Sequence, residues 1–114
     1  LPSMIELTRK FSALADDTRL KVVNPLIEHG ELPAGELTKL AGISAPAVSR
    51  HLKILREADL IEQKVVGTHR YYSARREALQ EIEDWAIDRR KFCAGSLSKL
   101  DALLALDPEE SEKE

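Results

Sequence analysis

The sequence predicts a mostly helical domain that carries one small β-hairpin. Apolar residues recur at three- and four-residue steps over most of the 114 residues, as the buried face of a helix requires. Aromatic residues make up 4% and charged residues 32% of the chain, a composition that favours helices over extensive sheet. The exception surrounds Gly67, where two short segments flank a glycine suited to a tight hairpin turn. This length fits one domain with one modest core.

Two helices are predicted at the start of the chain. The first covers Met4 to Leu14, and the second is capped by the Asp16 carboxylate and ends at Gly30. Inside the second helix, Pro25 removes a hydrogen bond and its ring clashes with the preceding turn, at a cost of about 3 kcal/mol or more. We therefore expect a kink or a break near residues 22–25.

A short extended segment and two further helices follow. The extended segment covers residues 31–32, and the third helix ends at Gly42 and should bury Leu37 and Leu40. Ser44 caps the fourth helix, in which a proline in the first turn is tolerated because the N–H groups there are unpaired. The buried face of the fourth helix is predicted to consist of Val48, Leu52, Leu55 and Ala58.

The hairpin and a long helix complete the domain. The fourth helix ends near Ala58 with Asp59 as a left-handed cap, and the strands are expected at residues 61–66 and 70–73. The last helix covers residues 77–106. The acidic tail, residues 107–114, is expected to be disordered.

The fourth helix presents an unusual outer side. Its first turn carries small residues, and Arg50 and Lys53 follow on the side turned away from the core. Although the whole chain has a net charge of −3, residues 44–76 contain seven cations and only three carboxylates, a net charge of +4 before the histidines. A basic middle within an acidic chain indicates a local anion-binding face.

A short helix, a tight turn, a helix with an exposed polar front and a hairpin together make a winged helix-turn-helix. The helix-turn-helix covers about 34–58, the wing about 61–73, and the whole domain 1–106. Such a helix enters the DNA major groove by its N-terminal end, where small residues permit close approach. Ser44, Ser49, Arg50 and Lys53 are then placed to contact bases or phosphates.

The runs "ALADDTRLKVV", "GELPAGELTKLAGISAPAVSRHLKILREADLI" and "VVGTHRYYSA" resemble the ArsR family of winged-helix repressors. The resemblance implies a cytoplasmic homodimer that binds double-stranded DNA at an inverted-repeat operator and represses transcription. It places Ser44, Ala45, Pro46, Ser49, Arg50, His51 and Lys53 on the groove side. The wing contacts would be Lys64, Thr68, His69 and Arg70.

The last helix has more apolar residues than one core can cover, and we expect the first and last helices to form the dimer seam. The expected seam consists of Ile5, Phe11, Ile82, Trp85, Phe92, Cys93, Leu97, Leu100 and Leu104. Cys93, the only cysteine, excludes an internal disulfide and fits a reducing compartment. A buried structural thiol is its favoured interpretation.

The metal-sensing motifs found in many members of the family are missing here. The third helix carries "LPAGEL" where a Cys-x-Cys would stand, and the last helix has no histidine. We therefore expect no metal and no cofactor. No pattern of an enzyme or a membrane span is visible. A protein-interaction module without specific DNA binding, and a redox-responsive repressor acting through Cys93, remain alternatives.

Overall fold

The structure is a computed structural model that describes residues 3–105, without the side chains of residues 96–98. The expected disorder of residues 107–114, and the last residue of the predicted final helix, lie outside the described residues. The elements follow the predicted order, with one strand more than expected. They are α1 (Met4–Leu14), α2 (Asp17–His29), β1 (Leu32–Pro33), α3 (Ala34–Ala41), α4 (Ala45–Glu57), β2 (Ile61–Val66), β3 (His69–Ala74) and α5 (Arg76–Ala105).

The helix ends are set by local hydrogen bonds. Ser3 and Glu6 form a capping box at the start of α1, each side chain accepting from the other residue's backbone N–H. The Asp16 carboxylate accepts from the backbone N–H of Arg19 at 3.0 Å and so caps α2 as predicted. Gly42 ends α3 with a φ of 67°, in the left-handed region that glycine adopts without strain.

Of the predicted kink or break in α2, the break is wrong, because the helix is continuous from Asp17 to His29 with Pro25 inside it, while the kink stays a prediction. Val22, Val23 and Leu26 flank the proline and are almost completely buried. Burial of these side chains contributes more than the proline costs, since each contributes about 1.5–3 kcal/mol. Tertiary packing therefore holds the helix through the proline.

The sheet has three antiparallel strands in the order β1-β3-β2 within the described residues. β2 and β3 pair over their full length, from Ile61 opposite Ala74 to Val66 opposite His69. The short extended segment predicted before α3 becomes β1 and pairs with the middle of β3, with Leu32 opposite Tyr72. The loss of the N–H at Pro33 is tolerated because β1 is an edge strand.

One compact unit ends at Glu81 and contains the core. α2 packs against α3 and α4, and α4 packs against β2. The four residues predicted to form the buried face of α4 are all buried. Leu37 is fully buried as expected, but Leu40 is 51% exposed. That expectation was wrong because the eight-residue α3 turns only a narrow stripe toward α2 and α4.

The charged residue in this core is Lys10 of α1. Its side chain is 6% exposed, and its Nζ lies 3.4 Å from Oε2 of Glu81 in the first turns of α5. A buried ammonium requires such a partner, because desolvation of an unpaired charge is costly. This ion pair joins the first helix to the start of the last one.

The second compact unit begins at Ile82 and contains the rest of α5. This segment is helical to Ala105, as the three- and four-residue apolar spacing predicted. Phe92, Leu100 and Leu103 are 69%, 50% and 64% exposed. An apolar surface of this kind on one helix favours a partner.

Candidate nucleic-acid interface

The turn between α3 and α4 gives the fourth helix a thin and well-capped N-terminus. Ser44 is the N-cap, and its Oγ accepts from the backbone N–H of Ala47 at 3.3 Å. The Ser44 carbonyl accepts from the N–H of Val48 at 3.0 Å, which starts the helix directly at the turn. Pro46 occupies the first turn, where no N–H is missed.

The predicted groove-side residues lie on the outer side of α4 in all but one case. Those that are exposed are Ser44, Ala45, Pro46, Ser49, Arg50 and Lys53. His51 differs, because it is half-buried and its ring contacts the guanidinium of Arg19 at 3.4 Å. At about 100° per residue, His51 faces the flank of the helix rather than the front that carries Arg50. The structure therefore separates His51 from the other candidates on this helix.

The exposed cations of the outer side are available for an external anion. In the described part of the chain, no carboxylate lies within ion-pairing distance of Arg50, Lys53 or Arg70. Other described cations do have carboxylate partners, as in the 3.8 Å contact between Arg75 and Asp59, and these paired cations are Lys10, Arg19, Lys39 and Arg75. An unpaired guanidinium or ammonium does not have to break an existing ion pair before it binds another group. These side chains are therefore suited to bind phosphates or base edges.

The wing carries its candidate residues on two different faces. Lys64, Thr68, His69 and Arg70 are all exposed. The register pairs Val66 with His69 and Lys64 with Tyr71, and these four side chains share one face. Arg70 lies on the opposite face, which also carries the buried Tyr72. The turn at Gly67, where φ is 63°, joins β2 to β3 and forms the tip of the wing.

Sequence reasoning missed Arg19, a residue of α2 that contacts His51 of α4. Its side chain is 15% exposed and its Nε–H donates to the carbonyl of Ala13 at the end of α1. One terminal nitrogen lies 3.9 Å from the Asp16 carboxylate and 3.4 Å from Nδ1 of His51. No local pattern could indicate a contact between residues 32 positions apart.

The Asp16 carboxylate is stabilised in its charged form at this junction. The backbone N–H of Arg19 donates to it, and this hydrogen bond lowers the pKa of Asp16 below its ordinary value. Partial burial opposes the shift, while the nearby charge of Arg19 adds to it. The carboxylate therefore remains negative beside the Arg19 guanidinium at neutral pH.

The residues expected at a dimer seam lie largely on the surface of the single chain. Ile5 is 72% and Trp85 43% exposed, Phe11 is half-buried, and the Leu97 side chain lies outside the described residues. Cys93 is exposed, so the single chain does not bury this thiol. Phe92 and Leu100 are exposed, and Ile82 and Leu104 are half-buried.

A groove of about 860 Å³ lies between α1 and the C-terminal half of α4. Met4 and Ile5 line it from one side, and Ile54 and Ala58 line it from the other. Met4 is 83% exposed and Ile54 40% exposed. The groove thus exposes apolar side chains of both helices, with Arg9, Arg19 and Glu57 also in its lining.

Residues 3–105 contain neither a metal-ligand cluster nor a helix suited to span a membrane. No group of three or more His, Cys, Asp or Glu side chains is arranged to hold a metal ion there. Over the same residues, no helix has the length and apolar content needed to cross a bilayer.

Comparison with known proteins identifies the same fold and family. Residues 16–63, from the cap of α2 into β2, match the family described as bacterial regulatory protein, arsR family. The transcriptional repressor SdpR of Bacillus subtilis is 35% identical over 78 residues, which cover 68% of this chain and 86% of that repressor.

Solved structures agree with this match. An ArsR-like transcriptional regulator from Rhodococcus sp. RHA1 superimposes with a TM-score of 0.70 at 26% identity, covering 90% of this chain and 93% of that one. A homodimeric winged helix-turn-helix DNA-binding domain from Mycobacterium bovis shares the fold, with a TM-score of 0.63 at 23% identity, and 78% of this chain and 83% of that one are covered. The resemblance seen in the sequence is confirmed: this chain belongs to the arsR family of bacterial regulatory proteins.

Proposed function

We propose that the protein is a cytoplasmic, homodimeric repressor that binds an inverted-repeat DNA operator. Each subunit would insert the N-terminal half of α4 into the major groove of one half-site and place its wing on the flanking backbone. Family membership supports transcriptional regulation, and the related SdpR is a repressor.

The outer side of α4 is the observation that carries the proposal. It combines a capped N-terminus, a first turn of small residues, and the exposed Arg50 and Lys53 without ion pairs among the described residues. Small residues allow the helix to approach the groove floor, and the positive end of the helix dipole favours a phosphate oxygen. A protein-interaction module has no need for this combination.

Selection of binding sites from random duplex DNA at a stated salt concentration tests the DNA proposal. We expect enrichment of an inverted repeat whose half-sites are centred about 10 base pairs, or a multiple of this spacing, apart. Failure to enrich any sequence, with a folded protein, would contradict the proposal and favour the protein-interaction alternative. The variant Arg50→Ala should enrich a less defined half-site.

The dimer is proposed to form through α1 and α5. Ile5 and Phe92 are exposed apolar side chains on these helices. Their burial against a second copy would stabilise the dimer by about 25 cal/mol for each Å² of apolar surface removed from water. An apolar surface left exposed on both helices would promote non-specific association instead.

Sedimentation equilibrium at micromolar concentration tests the dimer. We expect about twice the monomer mass of 12.8 kDa for the wild type. Ile5→Glu and Phe92→Glu should shift the protein toward the monomer, because each buries a carboxylate in the apolar seam. Leu40→Glu is the matched control, since Leu40 is equally an exposed apolar residue but lies on α3. Equal effects of all three variants would refute this seam.

A redox-responsive repressor acting through Cys93 is a separate alternative. The exposed thiol in the single chain has no second cysteine to pair with except that of a partner. We therefore expect mild oxidant to leave the DNA affinity of the wild type unchanged, and Cys93→Ser to behave in the same way. If oxidant changed the affinity of the wild type but not that of Cys93→Ser, the redox alternative would be supported.

A further inference from the structure

We propose that Arg19 is a positioning residue for DNA binding, which holds the His51 ring as the tautomer that donates a hydrogen bond from Nε2 to a backbone phosphate. This inference rests on the proposed DNA-binding function. It concerns α2, an element that contributes none of the predicted DNA contacts.

The direction of the hydrogen bond follows from the chemistry of the pair. A guanidinium carries only donors, so the 3.4 Å contact between Arg19 and Nδ1 of His51 requires Nδ1 to supply a lone pair. The proton of the neutral ring then resides on Nε2. The ring thus presents a defined donor on the side away from Arg19.

The position of Arg19 is itself fixed on three sides. Its Nε–H donates to the Ala13 carbonyl, and the Asp16 carboxylate lies 3.9 Å from the same terminal nitrogen that contacts His51. With its side chain 15% exposed, the guanidinium has little freedom to turn away from the ring. A fixed donor in turn fixes the orientation of a ring on α4.

The location of His51 favours a phosphate over a base edge. The residue is about 100° around α4 from Arg50, on the flank that faces α1 and α2. When the front of the helix enters the major groove, its flank lies beside the groove wall, which is formed by the phosphate backbone. A neutral hydrogen-bond donor at a phosphate adds DNA affinity that does not depend on the base sequence. Because the donor carries no charge, its binding does not release a counterion from the DNA.

Nitrogen-15 NMR of the histidine rings in the free wild-type protein is the first test. For His51 of the wild type we expect the resonance pattern of a ring protonated at Nε2 and unprotonated at Nδ1. In Arg19→Met we expect His51 to show a mixture of the two tautomers. A ring protonated at Nδ1 in the wild type would overturn the proposal. This measurement needs no DNA, so it is independent of the proposed function.

A double-mutant cycle on DNA affinity is the second test, with the recovered operator as the probe. His51→Gln retains a donor near the Nε2 position and does not need a tautomer to be chosen. We expect Arg19→Met to weaken binding about three- to tenfold with His51 present and to have little effect in the H51Q background. An equal loss in both backgrounds would mean that Arg19 acts only by supporting the fold, and would overturn the proposal.

Salt dependence distinguishes a neutral donor from a charged one. His51→Ala should weaken operator and random duplex by the same factor and leave the slope of log affinity against log salt unchanged. A slope lower by about one would show a charged ring, which cannot accept from Arg19, and would contradict the proposal. Failure of the wild type to bind any duplex would instead refute the proposed function, whatever the NMR result.

Discussion

Replacing Arg50 by alanine removes one cation from the front of the proposed recognition helix. α4 rises about 1.5 Å per residue, so Arg50 lies about 7.5 Å along the axis from Ala45, and its side chain leans back toward the N-terminus. The major groove is about 8.5 Å deep. The guanidinium is therefore expected to reach base edges once the helix tip enters the groove.

The expected loss follows from that contact. A bidentate contact between an arginine and a guanine discriminates by about 1–3 kcal/mol, which corresponds to about 5- to 150-fold in Kd on the operator. Random DNA lacks the matching base, so Arg50→Ala should weaken random binding much less. The ratio of specific to random affinity should fall.

Arg56→Ala provides the matched control within the same helix. Arg56 is also exposed, but it lies about 9 Å farther along α4 and on another side of it. Its loss removes the same charge, with an expected effect below about threefold on both kinds of DNA at physiological salt. Fluorescence anisotropy titrations with operator and random duplexes over a salt series measure both effects. If the two variants changed the specificity ratio equally, the placement of Arg50 at the base edges would be wrong.

Four further outcomes are expected. Arg70→Ala should weaken operator and random duplexes alike and lower the salt slope by about one, and a selective loss on the operator would indicate that the wing reads sequence. Glu81→Gln leaves the Lys10 ammonium unpaired and should lower the free energy of unfolding by about 1–3 kcal/mol, whereas Lys10→Met should cost little, as denaturant titrations would show. The lowered pKa of Asp16 means that its carboxylate stabilises the folded state above the ordinary pKa of about 4, so the stability of wild type relative to Asp16→Asn should fall as the pH drops below about 4 and through the lowered pKa. Stoichiometric zinc should leave operator affinity unchanged, and release of the DNA by zinc would refute the expectation of no metal.

Features specified by local chemistry could be predicted from the sequence. Ser44 and Asp16 are side chains that satisfy unpaired N–H groups, and Gly42 and Gly67 allow a positive φ, so each marks a boundary within a few residues of itself. The apolar face of α4 was predicted correctly because a period of 3.6 residues is visible from Val48 to Ala58, over about three turns.

Features that depend on distant partners could not be predicted. β1 is only two residues long and exists because Tyr72, 40 positions later, pairs with Leu32. Arg19 has no sequence signal that connects it to His51, since that contact arises from the packing of α2 against α4. The proline in α2 obeys no local rule either, because buried neighbours offset its cost.

The placement of β1 divides the wing into two parts of unequal stiffness. Three strands are present only beside Tyr71 and Tyr72, in the inner half of the hairpin that we call its root, while residues 65–70 form a two-stranded ribbon toward the tip. An isolated two-stranded hairpin is only marginally stable in water. Amide hydrogens of the outer ribbon should therefore exchange with solvent much faster than those at the root. In the proposed DNA complex the tip would bend to follow grooves of different width, while the root would keep the hairpin in fixed register with the strand that leads into α3.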